Sequence, residues 1–130
     1  MSRFRRGAPD HHPSMSNLEL AVFDVLNADS KLKEAPRIEE AVWFHYHFAT
    51  HPDFMFPLSH VLVYIDGPHH GKKIHADRDA RVNKLAVADG WHVQRFKYDG
   101  KYTTKQIEFI AINIRSAVNH RVPRVEEIEL

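Results

Sequence analysis

The 130-residue chain has no cysteine, which rules out disulfides and any thiolate-based metal site. It also has no apolar run close to the roughly 20 residues of a membrane-spanning helix, and no signal-peptide core follows its first residues. No internal repeat is present. Net charge is nearly absent as well, at +1, so the bulk balance points to neither a polyanionic nor a polycationic partner. What remains is the composition of an ordinary soluble globular protein, 43% hydrophobic and 27% charged. The length suits one domain with a real core and leaves too little chain for two. A cysteine-free chain of this kind fits a cytoplasmic setting.

The small net charge hides an uneven distribution. Lys plus Arg against Asp plus Glu number 6 and 9 over residues 1–69, 9 and 4 over 70–105, and 3 and 4 over 106–130. The middle of the chain is therefore basic on an acidic body. Such a run can be a solvated helix face. Its position directly after Asp66 favours a phosphate-binding surface.

Residues 1–14, with three arginines, two prolines and no periodicity, read as a flexible basic arm. Ser16 followed by Glu19 is a capping box that opens a helix to about Asn27, with Leu18, Val22, Val25 and Leu26 as its apolar stripe. Residues 41–48 alternate as one strand, with Val42, Phe44, Tyr46 and Phe48 opposite Trp43, His45 and His47. Short strands follow near 53–56 and 61–66, the second almost wholly apolar and so central in its sheet. A helix over 74–89 ends at Gly90 and carries Arg78, Arg81 and Lys84 at intervals of three. Residues 91–97 form another strand. Thr103 and Gln106 cap a last helix whose core stripe is Ile107, Ile110, Ala111, Ile114 and Val118. Residues 121–130 read as a loosely attached tail. The order α-β-β-β-α-β-α gives an α/β fold, a mixed β-sheet flanked by helices.

Several residues in this frame can carry chemistry. Asp53 lies between Pro52 and Phe54, where an apolar strand holds a carboxylate only beside a metal or a cation, unless it is a surface-turn aspartate. Asp66 ends the apolar strand before Gly67, either as a functional carboxylate or as half of a common Asp-Gly turn. His69 and His70 follow. They cannot face the same way on a strand, so at most one serves as proton donor or acceptor. Glu19 fits a cap and a catalytic role equally. His45 and His47 either share a metal-binding strand face or, as the plainer reading, line a satisfied polar one. Arg95 suits a carboxylate partner within the sheet.

Taken in order, Glu19, Pro52-Asp53-Phe54, Val61 to Gly67, His69-His70, Arg78 to Leu85 and Gly90 to Arg95 resemble the PD-(D/E)XK nuclease superfamily. Within it they are most similar to the very-short-patch repair (Vsr-type) endonuclease group. The likeness spans about 80 residues and implies a restriction-endonuclease-like sheet, with a Vsr-like nuclease domain over residues 15–120. It implies Asp53 as central metal ligand, with the Ile65 backbone carbonyl and Asp66 completing the metal-facing strand end. His70, or its neighbour His69, would reach the scissile phosphate or the attacking water, and Glu19 would orient that histidine. Arg78 and Arg81 would meet the DNA backbone, joined by Lys72, Lys73 and Lys84 from the basic run.

The departures are specific. Tyr64 stands where the superfamily usually has an acidic residue, as the Vsr-type group also lacks a carboxylate there. The absence of cysteine and of an aromatic wedge in Gly67-Pro68-His69-His70 argues against T:G mismatch repair and favours Vsr-like homing endonucleases and related nuclease domains. The function implied is a Mg²⁺-dependent DNA endonuclease, with Mn²⁺ as substitute, acting in the cytoplasm on nucleoid or phage DNA as a monomer or homodimer. The contrasting reading is a non-catalytic nucleic-acid-binding module on the same frame.

Overall fold

The computed structural model describes residues 15–44, 48–68, 73–120 and 122–130, except for the side chains of residues 73–75. The basic arm expected over residues 1–14 therefore lies outside the described residues, as do His45 and His47. The described chain is a mixed α/β fold with three helices and two sheets.

Helix α1 (Asn17–Ala28) starts at the expected capping box. Ser16 Oγ accepts the Glu19 amide at 3.2 Å, and Glu19 Oε1 accepts the Ser16 amide at 3.2 Å. Two of the amides that a helix start leaves without partners are thereby satisfied. Leu18, Val22 and Leu26, spaced four apart, form its buried stripe.

The next segment differs from the single strand expected over 41–48. It contains two short strands, β1 (Val42–Phe44) and β2 (Phe48–Thr50), paired antiparallel with Phe44 opposite Phe48. This ribbon is a sheet of its own.

The main sheet has the order β3 (Phe54–Phe56), β4 (Val61–Asp66), β5 (His92–Lys97), β6 (Val125–Glu129). The β3–β4 pair is antiparallel, and β4–β5 and β5–β6 are parallel. Parallel neighbours need crossovers, supplied by α2 (Lys73–Ala88) between β4 and β5 and by α3 (Thr104–Asn119) between β5 and β6. The loose tail expected from 121 is thus in part the fourth strand of the sheet. Gly90 stops α2 as expected, with φ +90, a conformation in which a Cβ is strained.

All six residues of β4 are buried, which accounts for its apolar run. Alternation divides them between two cores. Val61, Val63 and Ile65 pack with Phe54, Phe56 and Phe96 against α1 and α3. Leu62 and Tyr64 pack with Met55, Val93, Val82 and Ala86 against α2, together with Phe44 from the ribbon. The sheet is therefore sandwiched, with α1 and α3 on one face and α2 and the ribbon on the other. None of the described helices is long and apolar enough to cross a membrane.

Candidate active site

Asp53 sits at the entry to β3. Its amide donates to Val63 O at 2.9 Å, and its Oδ2 receives the Ile65 amide at 2.6 Å. Both bonds go to β4, so the position of this carboxylate is set by the strand that ends in Asp66. Glu19 reaches the same place from the first turn of α1 and hydrogen-bonds to Asp53 while still closing the capping box. The cap read for Glu19 in the sequence is thus present, and the same carboxylate stands beside Asp53.

A cleft of about 410 Å³ opens beside this pair, lined by Met15, Glu19, Ile38, Glu39, His51 and Asp53 among others. Glu39 and His51 were not singled out by sequence reasoning. His51 is two residues before Asp53, and that adjacency was the available signal. Glu39 has φ +56, which is uncommon for a residue with a side chain and holds it in a turn at the cleft.

Burial is the main influence on both acids. It pushes Asp53 up to about 8, reinforced by the negative charge of Glu19 and, further away, of Asp66, and opposed by the Ile65 amide. Burial also raises Glu19, against the lowering effect of its bonds to Ser16 and Asp53. Without a cation the pair retains a proton near neutral pH.

A stability consequence follows. Asp53 ionises near its ordinary 3.8 in the unfolded chain and near 8 in the fold. Between those values the folded state binds more protons, so its contribution to stability is full below about pH 4 and is lost as pH rises through about 8. In EDTA, the melting temperature of the parent minus that of Asp53→Asn should fall from pH 5 to pH 8, and Mg²⁺ or Mn²⁺ should reverse the fall at pH 8. A difference curve flat with pH would show that Asp53 is not protonated in the fold.

Asp66 has other company. It is only 3% exposed, and its Oδ2 lies 3.4 Å from Nη1 of Arg95, itself 1% exposed. Arg95 Nε donates to Asn83 Oδ1 at 2.7 Å, and Nη1 lies 3.5 Å from Asp79 Oδ1. The guanidinium carbon stands 4.0 Å from the Tyr64 ring centroid. Arg95 is therefore the sheet-face carboxylate partner that the sequence suggested. Tyr64 completes the cluster, its hydroxyl 2.7 Å from Thr50 Oγ1. Burial pushes its phenol up to about 12, so it remains neutral. Asn83, Asp79 and Thr50 were not anticipated here, although Asn83 and Asp79 lie on the α2 run noted in the sequence.

The structure thus brings Glu19 and Asp53 together and places Asp66 in the Arg95 cluster. Among the described residues no three His, Asp or Glu side chains converge as a metal cluster. Two adjacent carboxylates whose ionisation is opposed by burial and by each other nevertheless fit a hard divalent cation, and Mg²⁺ is commonly held by one or two carboxylates with water and substrate phosphate. Ile65 holds Asp53 through its amide.

The cations of α2 lie beside the ribbon. Arg78 Nη2 donates to Ala49 O at 3.0 Å, and the guanidinium carbons of Arg78 and Arg81 stand 5.0 and 4.7 Å from the Phe48 ring centroid. Both side chains remain exposed, as does Lys84. His69, His70 and Lys72 lie outside the described residues, and so does the side chain of Lys73. No family model, curated protein or solved structure matches the chain.

Proposed function

We infer that the protein is a metal-dependent DNA endonuclease of the restriction-endonuclease-like kind, hydrolysing phosphodiester bonds. The observation that carries this reading is the Glu19–Asp53 pair, two carboxylates sharing a half-buried cleft at the entry to β3. Buried like charges are costly unless a cation joins them. Asp53 and Glu19 would hold Mg²⁺ or Mn²⁺, which when bound supplies a Lewis acid for the phosphoryl oxygens and makes water more acidic.

The remaining work falls to the chain's own groups. Ile65 fixes one oxygen of Asp53, and Ser16 fixes Glu19, so the pair is held in place before any ligand arrives. Arg78, Arg81 and Lys84 provide the positive surface that holds a polyanion. Water attacks phosphorus in line, the P–O3′ bond breaks, and an imidazole relays the proton. The resemblance assigns that relay to His70, with Asp66 as a further metal-facing carboxylate. His51, at the rim of the same cleft, is the imidazole the described residues offer. One protomer has one such site and nicks one strand, while two copies would cut both.

A second reading has its own observation. Tyr64 occupies the place of a usual carboxylate, is buried and is bonded to Thr50, as in a frame that has become a pure nucleic-acid-binding module. Supercoiled plasmid incubated with the protein in Mg²⁺, Mn²⁺ or EDTA separates the two. Relaxed circles with either metal and none in EDTA are expected. Retarded but intact DNA under all three conditions would favour the binding module.

A further inference from the structure

The main sheet opens a second cavity that the nuclease reading leaves unused. β4, β5 and β6 run parallel and end together, at Asp66, Lys97 and Glu129. The helices that follow β4 and β5 diverge, since α2 packs on one face of the sheet and α3 on the other. The chain therefore leaves these two neighbouring strands in opposite directions. In open α/β sheets, ligands settle in the crevice that such a parting leaves outside the carboxyl ends of the strands. A cavity of about 320 Å³ lies at that place, with Gly67 and Pro68 on the β4 side and Lys97, Tyr98 and Asp99 on the β5 side. Ligand cavities run from ~300 to 1,000 Å³, so this one has room for a single ring system and little more.

Its walls are fixed, while its polar groups are open. Tyr98 packs against the core beneath α1 and α3, and a Cβ on Gly67 would stand 3.6 Å from its ring. The Tyr98 amide donates to Asp66 O at 3.0 Å, which ties the two strand exits together. Asp99 Oδ1 accepts the Lys101 amide at 3.1 Å, and its other oxygen is left over. The exposed Glu129 carboxylate has no partner among the described residues. Lys97 meets Glu127 only at 3.7 Å, with both side chains well exposed, a contact that a ligand replaces at little cost. Asp66, which also lines the cavity, is already compensated by Arg95. The crevice thus presents an aromatic wall, two carboxylates that accept and an ammonium that donates. That mixture suits a flat, neutral heterocycle bearing donors and acceptors better than it suits a phosphate or a simple cation.

We propose that this crevice is a subsite for one unpaired nucleobase carrying an exocyclic amino group, with Asp99 and Glu129 accepting from that group and Tyr98 as the aromatic wall. The proposal deepens the nuclease reading and rests on it for the choice of DNA. Adenine, cytosine and guanine have such a group, and thymine has none. In a duplex the base is paired and both of its faces are covered, so only a bulged, flipped or single-stranded base can enter. The place fits the chemistry as well. Ile65, whose amide holds Asp53, directly precedes Asp66 in β4, and the charge of Asp66 is felt at Asp53. A base in the crevice therefore lies across β4 from the Glu19–Asp53 pair.

The test uses the full chain in EDTA, where binding is independent of cleavage. Two labelled duplexes, identical except for a single bulged cytosine or a single bulged thymine, are titrated and read by anisotropy. Both offer the same phosphates to α2, so the ratio of the two affinities isolates the base. The cytosine bulge should bind about tenfold tighter, the scale of one charge-assisted hydrogen bond. Asp99→Ala combined with Glu129→Ala should strengthen binding to both duplexes by removing negative charge, and should bring their ratio to within about twofold of unity. Both side chains are exposed, so the melting temperature should stay at the parental value. Equal binding of the two bulges by the parent, no binding of either, or a ratio that survives the double substitution overturns the proposal. Plasmid nicking with metal is scored separately. Nicking without the cytosine preference removes the subsite alone, and the preference without nicking keeps the subsite and removes the nuclease.

Discussion

Asp53→Ala should abolish metal-dependent nicking, with a loss on the order of 10³-fold or more, and leave DNA affinity within about twofold. The two effects separate because the cleft pair and the cationic surface lie on different elements. Asp53 is held by β4 and paired with Glu19 from α1, whereas Arg78, Arg81 and Lys84 project from α2. The substitution should not harm the fold at pH 8, where the lost carboxylate is at its most costly. Glu19→Gln is the companion variant. Glutamine at the third helical position still closes a capping box, so the helix start survives while one of the two charges is removed. Its nicking should fall between parent and Asp53→Ala, with a near-parental melting temperature. Gel quantification of relaxed circles over time, beside anisotropy in EDTA, measures both quantities. Nicking by Asp53→Ala at the parental rate would remove this carboxylate from the chemistry, and with it the reading built on the pair.

The second large effect concerns Arg95. Arg95→Met keeps much of the side-chain volume but removes the cation from a cluster in which Asp66 is 3% exposed. Removing one partner of a buried ion pair typically costs about 3–5 kcal/mol, because the other charge is left without compensation. For a chain of this size that lowers the melting temperature by something on the order of 10 °C. Adding Asp66→Asn to Arg95→Met should restore a good part of the loss, since a neutral amide needs no counter-charge. The non-additivity is the signature of the pair. If the double variant were no more stable than Arg95→Met alone, the stacking on Tyr64 and the bond to Asn83 would be the larger contributions of Arg95. Thermal denaturation of the four proteins of this cycle decides the matter.

Local signals in the sequence were strong where the chain meets them locally. The Ser16–Glu19 and Thr103–Gln106 boxes appear with both of their bonds. The unbroken apolar run of β4 reads as a strand covered on both faces, and it is one. The ribbon escaped notice for a geometric reason. Phe44 and Phe48 are both even-numbered and stand opposite each other in the pairing, so the alternating pattern passes in phase from one strand to the next. Without glycine or proline between them, nothing in the sequence separates the two strands. β6 escaped for another reason. Its sequence, Val125-Glu126-Glu127-Ile128-Glu129, has low strand propensity, and its place comes from pairing with β5. At the site, the sequence offered Asp53 and Asp66 as metal partners because both lie at strand ends. Which carboxylate stands beside Asp53 depends on how α1 packs, and which stands beside Arg95 depends on α2. Those are long-range outcomes that spacing along the chain does not encode.

The sheet order also has a consequence for how the protein behaves among copies of itself. An open sheet has two margins where main-chain groups could recruit a strand from another molecule, the route to fibrils and precipitates. On the β3 side that route is partly closed from within, since Arg37 and Met55 exchange amide-to-carbonyl bonds of 2.9 and 2.8 Å. On the other margin β6 carries Glu126, Glu127 and Glu129 within five residues. Two such margins brought together would set carboxylates of one molecule against those of the next, and like charges facing each other across a strand pair are repulsive. The glutamates that hid β6 in the sequence thus also set like charges against any copy that approaches this margin.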